Sequence, residues 1–540
     1  MNLKDFWTRL PIAALFAAGV VLLAGAGRAN AQAVVSGTVV DADGAPIAFA
    51  EIAIERLNVG TVAAADGTYR LLVPAARVTG QRETIVARAL GYRSETHEVS
   101  LSAGEINVDF TLVVDPLRLE GVVATGQALQ TTRERLGYTV DTVDSDEIAQ
   151  SEESNVVSAL AGKAPGVWVT SSTGDPGGGA FINIRGWKTN LDANQPLFVV
   201  DGTPIDNSTF CTEGGFCFQG GTSFQNRVAD LNPEDIESVE ILKGPAATSI
   251  YGSAGANGVV LITTKTGRRG VTRFTAKTSY SWDEVNADVP LQTQYGRGRD
   301  GAAVGQPGVN LSPANDYPYS WGPELGPDVP VYDHWNEVFR TGHQANFDMT
   351  LSGGGDRTTY FLSGSYLNHQ GPVVGNNNLD KWSVRLKATQ WIRDNLSVSG
   401  NFAYTNQRGD MVQQGSNTSG LLLASLRTVP EFNNLPYIDP ETGLHRAYRN
   451  PSPTSLTESR IFDNPFWVAN EILNKTDVGR TFGNIRADWQ ALDWLNASWL
   501  VGADYANDDR FTLFPKSSSG YVDGAVFRFN ARTFDIDNTL

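Results

Sequence analysis

The sequence predicts a mainly β protein: an N-terminal β-sandwich, a mixed α/β unit, and part of a transmembrane antiparallel β-barrel. Short β-prone runs separated by Asp-Gly turns fill residues 33 to 115. Strand and helix signals mix between 141 and 267. Beyond 271, strands of roughly ten residues carry apolar side chains on one face and polar or charged ones on the other, with short turns at one end and long polar segments at the other. A chain of 540 residues exceeds one ordinary domain. Its 55 Gly, 12 Trp, 16 Tyr and 24 Phe suit a β-rich protein with many turns and amphipathic aromatics. The net charge of −17 argues against nucleic-acid binding, which needs a basic footprint.

At the N-terminus, Lys4 and Arg9 precede the apolar run "PIAALFAAGVVLLAGAG", and "RANAQA" supplies a small-x-small exit at Ala29 and Ala31. This predicts a signal peptide over 1–31 and a mature start at Gln32. The alternative is an uncleaved anchor, because the run is at the short limit of the about 20 residues a spanning helix needs. Export puts Cys211 and Cys217, in "FCTEGGFCFQ", in an oxidising compartment, where a disulfide is expected. A metal pair is the alternative, although no histidine lies near.

The sandwich is read from "VVSGTVVD", "AEIAIERL", "TYRLLVP", "ETIVARAL", "HEVSLS" and "NVDFTLVV". Asp41 and Asp43 suit turn chemistry better than a calcium loop, whose other ligands do not follow. Residues 116–140 read as a linker. Within it "LEGVVATG" is an isolated β-prone segment able to add to another protein's sheet edge, or to serve as an edge strand of the next domain. "SEESNVVSALAGKAPG" reads as a short helix capped by a serine, and "NPEDI" as a turn with Asn232 at the cap and Pro233 behind it. In "KWSVRLKATQ", Trp382, Val384, Leu386 and Ala388 alternate with Ser383, Arg385, Lys387 and Thr389. The same alternation recurs in "ANFDMTLS", from Leu396 to Tyr404, and from Ile485 to Tyr505. A soluble sandwich is the alternative; the charges on the polar face and the long loops favour a barrel with a polar lumen.

The stretch "ILKGPAATSIYGSAGANG" asks whether strand, glycine-rich turn and strand form a phosphate site. Its glycines run G-x-x-G-x-x-G with no Lys-Ser/Thr after them, which matches neither a P-loop nor a dinucleotide fingerprint. Small residues there instead let backbone pass close to backbone. His97, His334, His343, His369 and His445 have no metal-ligand spacing, and no G-x-S-x-G elbow occurs. No catalytic residue, metal or cofactor is expected.

"SALAGKAPGVWVTSSTGDPGGGAFINIRG", "PLFVVDGTPID" and "LNPEDIESVEILKGPAATSIYGSAGANGVVLITTKTG" resemble the plug domain of TonB-dependent outer-membrane receptors, in the version of the SusC/RagA branch. The segment from "VSGTVVDADGAPIAFAEIAI" to "ALGY" is similar to the carboxypeptidase-regulatory-like sandwich that precedes such plugs. The resemblance implies an α/β plug domain over 141–267 inside a barrel that begins at 271. It makes Arg185, Gly186, Asp201, Gly202, Gly244, Tyr251, Gly252, Asn257 and Gly258 plug framework. It places the TonB box at Leu119, Glu120, Gly121, Val122, Val123, Ala124 and Thr125, with Ala124 where the family often has a third valine. It implies a protein of the Gram-negative outer membrane, with plug and sandwich facing the periplasm and the barrel against outer-membrane lipid. The implied function is import of a glycan or peptide with TonB, ExbB/ExbD and a SusD-like surface lipoprotein as partners.

The alternatives are a siderophore or cobalamin receptor, which usually lacks the sandwich, and a non-transporting signalling or adhesion protein. A secreted zinc carboxypeptidase would need a His-x-x-Glu pair that is absent here. Roughly eight or nine strand candidates follow residue 271, against about 22 in plugged transporters. The sequence also stops at "FDIDNTL", without a terminal aromatic. The expectation is an incomplete barrel: a curved open sheet round the plug, with residues 524–540 at an exposed edge.

Overall fold

The computed structural model describes residues 31–540, apart from 42–43, 48, 58, 65, 75–76, 79, 90–91, 93, 103, 114–121, 126–128, 133–139, 172, 189–193, 209–220, 223–224, 245–248, 271, 287–288, 304–320, 458–460 and 493. The chain divides into two compact units, residues 1–120 and 121–540.

The first unit is a sandwich of two four-stranded sheets. One holds β1 (Ala31–Asp41), β4 (Thr68–Pro74), β7 (Gly104–Asn107) and β8 (Phe110–Leu112). The other has the order β3 (Val59–Val62), β2 (Glu51–Ile54), β5 (Arg82–Arg88), β6 (Glu95–Ser100). In β4, Tyr69, Leu71 and Val73 point inward and Arg70 and Leu72 outward. The inward set joins Val35, Val39, Ile52, Ile85 and Phe110 in one core. Tyr69 takes its hydroxyl into that core and donates to the Val108 carbonyl at 2.6 Å, so its polar end is satisfied.

The second unit opens with a hairpin, β9 (Val122–Thr125) on β10 (Leu129–Thr132). The plug follows. Its mixed sheet has the order β11 (Val140–Asp144), β16 (Ile236–Leu242), β17 (Val259–Thr264), β14 (Leu197–Val200), β15 (Thr203–Ile205). A second hairpin pairs β12 (Val167–Ser171) with β13 (Ala180–Ile184). Two short helices, α1 (Ser145–Ala149) and α2 (Val156–Ala159), pack on these. Asn155, rather than a serine, caps α2: its side chain accepts from the Val157 N–H. Its amide also reaches Asn226 at 3.2 Å. Asn232 caps the turn at Pro233, accepting from Glu234 N–H at 3.1 Å.

Eight long strands form the wall. They are β18 (Arg273–Asp283), β21 (Gly342–Gly354), β22 (Thr358–Gln370), β23 (Asn378–Arg393), β24 (Leu396–Asp410), β25 (Leu473–Leu492), β26 (Leu495–Phe514) and β27 (Ala525–Thr539), each paired antiparallel with the next. The small pair β19 (Gly298–Arg299) and β20 (Ala302–Ala303) lies in the first long connection. The longer strands run to 20 residues, ample for a tilted crossing of a bilayer about 30 Å thick. Short turns at 355–357 and 394–395 mark one end. Long connections mark the other, where α3 (Leu421–Arg427) and α4 (Pro465–Glu471) build an apolar cap with Val338, Val373 and Phe514.

The wall's alternation has its polar side inward. Asp348, Lys381, Arg385, Asn401, Gln407 and Arg480 are buried, whereas Phe347, Leu386, Phe402, Ile485 and Trp499 are exposed. That inversion suits strands with lipid outside and protein inside.

Candidate functional site at the plug–wall interface

The plug is fixed to the wall by two buried polar clusters. The first is built on "VDG". β14 ends at Val200, and Asp201 (φ 48°) and Gly202 (φ 87°) turn the chain back into β15. Asp tolerates this left-handed conformation better than most residues. The turn aims the Asp201 carboxylate at the wall, where Arg385 donates at 2.9 Å, Lys387 at 3.1 Å and Asn401 at 2.8 Å. From the plug, the Thr264 N–H and hydroxyl donate to the same carboxylate. Asn484 of β25 donates to the Asp201 carbonyl at 3.3 Å and to the Thr203 hydroxyl at 3.1 Å. Burial pushes Asp201 up, but Lys387, Arg385 and Thr264 outweigh it and hold the carboxyl below its ordinary range.

The second cluster surrounds Arg480 of β25, which is fully buried. Its Nε donates to Asp504 Oδ1 at 2.8 Å and its Nη2 to Asp504 Oδ2 at 2.5 Å, the two-pronged geometry of a strong pair. The same guanidinium donates to the plug carbonyls of Arg227 and Asp206. Asp504 in turn accepts from the Asp206 N–H at 3.0 Å. A one-turn helix, Arg227–Asp230, places two plug charges here. Arg227 faces Asp230 at 3.4 Å and Asp508 at 3.7 Å, and Arg510 pairs with Asp508 at 2.7 Å. Gln407 donates to Asp230. Arg227, Arg480 and Arg510 thus balance Asp230, Asp504 and Asp508, as a dry site requires. Nearby, Lys381 donates to the plug carbonyls of Ala229 at 2.6 Å and Leu231 at 2.9 Å.

The other framework residues lie on the plug away from these clusters. Arg185 (φ 61°) and Gly186 (φ 89°) follow β13, and the Arg185 N–H donates to the Gly166 carbonyl. Gly244 (φ 98°) follows β16, and Gly252 (φ 58°) kinks the turn that carries the half-buried Tyr251. Tyr251 packs against Val140, Val199, Leu242 and Val259. Asn257 reaches the Gln195 carbonyl at 3.4 Å. At Gly258 (φ 105°) a methyl would lie 2.7 Å from Ile184 Cδ1 and 3.3 Å from the Leu242 carbonyl, so the turn needs glycine for both conformation and space. The glycine-rich stretch is therefore a close-packing element of the plug sheet.

Leu119, Glu120 and Gly121 lie outside the described residues, as do Cys211, Cys217 and Ala29. Val122 to Thr125 form β9, in register with Thr132 to Leu129. Ala31 is the first residue of β1. Among the described residues no group of three or more His, Cys, Asp or Glu is placed to hold a metal. His334 and His445 have structural partners instead: Val429 and Glu337 for the first, Asn464 for the second.

Sequence reasoning did not single out Arg227, Arg480, Asp504, Asp508 or Arg510. The signal was there: inward positions of β25 and β26 carry charges in otherwise strand-like runs, as Arg385 and Lys387 do in β23.

Residues 132–259 match the TonB-dependent receptor plug domain family, and residues 34–113 match the carboxypeptidase regulatory-like domain family. TonB-dependent receptor SusC of Bacteroides thetaiotaomicron is 27% identical over 507 residues, 91% of this chain and 46% of SusC. TonB-dependent receptor P39 of Formosa agariphila is 29% identical over 84% of this chain and 40% of its own length. The chain thus spans less than half of these relatives. The fold resembles a solved RagAB peptide importer in its open-open state, with TM-score 0.56 and 22% identity over 77% of this chain and 46% of that one. TonB-dependent receptors are outer-membrane β-barrel proteins. These matches give the chain a carboxypeptidase regulatory-like domain followed by a TonB-dependent receptor plug domain, and together they support a TonB-dependent receptor of the SusC/RagA type.

Proposed function

We propose that the protein imports a bulky polar nutrient, a glycan or a peptide, across the outer membrane, driven through TonB by the inner-membrane proton-motive force. The observation that supports this most is the plug pinned to the wall by buried, hydrogen-bonded ion pairs. A lumen filled in this way passes nothing bulky until work is done on the plug, and the outer membrane has no ATP to do that work. The substrate class follows the relatives, one of which is a RagAB peptide importer.

In this reading Leu119 to Thr125 is the TonB box, energised by TonB with ExbB/ExbD, and a SusD-like surface lipoprotein closes the outer face. Plug and sandwich face the periplasm. An isolated two-stranded hairpin is marginal in water, so β9 can exchange β10 for a TonB strand or add TonB on its open side. Removal of residues 1–31 leaves Gln32 first and takes only one residue from β1. A Cys211–Cys217 bridge stiffens a plug loop. Deleting Leu119 to Thr125 from the receptor tests the reading: uptake should vanish while substrate binding stays near normal. Unchanged uptake would remove these residues from the role.

A further inference from the structure

Away from the plug–wall contacts, the first long connection builds a small rigid surface. Segments 294–298 and 321–325 lie side by side. The Gly296 N–H donates to the Pro323 carbonyl at 3.0 Å, the Leu325 N–H to the Gln294 carbonyl at 2.8 Å and the Trp321 N–H to the Gly298 carbonyl at 3.2 Å. The Gly301 N–H, in the turn between β19 and β20, donates to the Trp321 carbonyl at 3.1 Å, so the Trp321 backbone is held through both its polar groups. The segments touch through glycine: a methyl at Gly298 would lie 2.6 Å from Gly322 Cα, and one at Gly322 would lie 2.8 Å from Gly298 Cα. The pair of segments stands on the apolar cap. The Arg297 N–H donates to Glu431, and the Arg297 guanidinium lies over the Tyr448 ring at 5.3 Å. Tyr448 is buried in one cluster with Ala424 of α3, Val429 and Phe462.

This support presents aromatic and polar groups together. Trp321 is 60% exposed. Its ring centroid lies 5.7 Å from that of the half-buried Tyr295, at an interplanar angle of 48°, so two flat faces meet at an angle. Tyr295 and Glu324 are bridge partners, and the exposed Gln294 amide donates to the exposed Glu324 carboxylate at 2.9 Å. An indole left in water contributes little to folding. Flat apolar faces beside a few fixed polar groups are what a ligand site needs.

We propose that Trp321 and Tyr295, with Gln294 and Glu324, form a subsite for a neutral glycan on the outer side of the receptor. The proposal rests on the importer reading and narrows its substrate class. The C–H face of a sugar ring is flat and apolar and packs on an indole. The hydroxyls at the ring edge are donors and acceptors at once: a carboxylate accepts their protons, and an amide both donates and accepts. A Trp on fixed backbone loses little freedom when the sugar binds. The exposed carboxylates of Glu324 and Asp300 repel uronates and sulfated sugars. Long connections of outer-membrane barrels lie on the extracellular side, so a glycan reaches this subsite before it reaches the plug.

Calorimetric titration of the full-length receptor tests this. The probes are maltoheptaose, cellohexaose, xylohexaose, laminarihexaose and inulin, with alginate oligomers as anionic sugars and a tryptic digest of casein as peptides. The expected result is that at least one neutral oligosaccharide binds and the alginate oligomers do not. Trp321→Ala should weaken that binding about tenfold or more. Trp321→Phe should keep most of it, and Gln294→Ala or Glu324→Ala should weaken it severalfold, all with the heat-modifiable migration of the parent. Binding of no neutral oligosaccharide, or binding unchanged in Trp321→Ala, overturns the proposal. So does a loss in Trp321→Ala confined to the casein peptides, or a loss of copurifying surface lipoprotein with sugar binding intact, since either makes Trp321 a peptide or protein contact. Import is scored separately, as TonB-dependent uptake by cells. Uptake of casein peptides without glycan binding leaves import standing and removes the subsite. Glycan binding that depends on Trp321, without TonB-dependent uptake, keeps the subsite and removes import.

Discussion

In the sandwich, the fully buried inward positions are Val35, Val39, Ile52 and Phe110, and outward positions such as Arg70 and Glu98 are wet. In the wall, the fully buried inward positions include Arg480, Asp504, Asp508 and Gln407, and the outward ones include Phe402, Ile485 and Trp499. Both regions alternate with period two, because successive side chains of any strand point to opposite faces. What differs is the medium each face meets. A face packed on its own apolar core must be apolar. A face packed on a hydrogen-bonding plug can be charged if its charges find partners, and a face against lipid must keep charge away from the bilayer midplane, as the outward pairs Arg408–Asp477 and Arg528–Asp509 do by lying toward the strand ends. Alternation thus identifies strands, and the chemistry of the two faces identifies the surroundings.

The sharpest way to break this contrast is at Arg480. Arg480→Ala leaves Asp504 buried without its guanidinium partner and Asp230 with Arg227 as its remaining cation. The expected loss is about 3–5 kcal/mol, read as a lower urea midpoint of the receptor and faster proteolysis of the plug. The double variant Arg480→Met/Asp504→Leu keeps the charge balance among Arg227, Arg510, Asp230 and Asp508 and should regain much of that loss. If Arg480→Ala is no worse than an average surface change, the wall interior is wetter than its burial implies.

The next largest effect lies on the outer face. Leu386 sits near the middle of β23, opposite Leu362 on one side and Phe402 on the other. Leu386→Lys should cost about 2–4 kcal/mol, the depth-dependent cost of a cation on a lipid-facing strand near the midplane. The recovery of membrane-inserted receptor and its urea midpoint both report it. A neutral result would mean that this face does not meet lipid.

Acid addresses the Asp201 cluster. Because the folded-state pKa of Asp201 is depressed, its contribution is fully present above the unfolded value of about 3.9 and is lost as pH falls through the lower folded value. The plug should therefore hold from neutral pH to about pH 4 and loosen below it. Asp201→Asn keeps the shape but not the charge facing Arg385 and Lys387, which should cost about 1.5–3 kcal/mol at neutral pH. It should also remove the Asp201 share of the acid step in protease sensitivity. An acid step of unchanged size in Asp201→Asn would assign that step to other carboxylates.

Much of this was legible before any coordinates. "KWSVRLKATQ" announces both its strand and its polar face, because alternation is a local property. "NPEDI" announces its capped turn, because Asn232 acts on a backbone group two residues away. The clusters were not legible as clusters. Arg480 meets the Asp206 carbonyl across 274 positions of sequence, and Asn401 meets Asp201 across 200. Only the register of a long sheet round a plug sets such pairs. The cap of α2 was misplaced onto a serine for a related reason. Several cap-competent residues stand together in "SEESN", and Asn155 is selected because its amide can also reach Asn226.

The smallest expected effect is the mirror of the Leu386 experiment. Leu72 of β4 is an outward leucine, about as exposed as Leu386, at 53% against 47%. Its cross-strand neighbour is Val34. In the sandwich the outward face meets water, so Leu72→Lys can keep its aliphatic stem along Val34 and put its ammonium into solvent. The change should stay within about 0.5 kcal/mol, as surface substitutions do when no special interaction is lost. Hydrogen exchange in β1 and β4 of the intact receptor reads it: protection should match the parent, while Leu71→Ala, one residue away and inward, should lose several kcal/mol of protection, about 2–5 for a core leucine. The pair of lysine variants separates medium from geometry, since strand, exposure and substitution are alike and only the solvent outside differs. If Leu72→Lys proves as costly as Leu386→Lys, then the outer face of β4 is covered in the assembled receptor, and the sandwich is a docking element rather than a free domain.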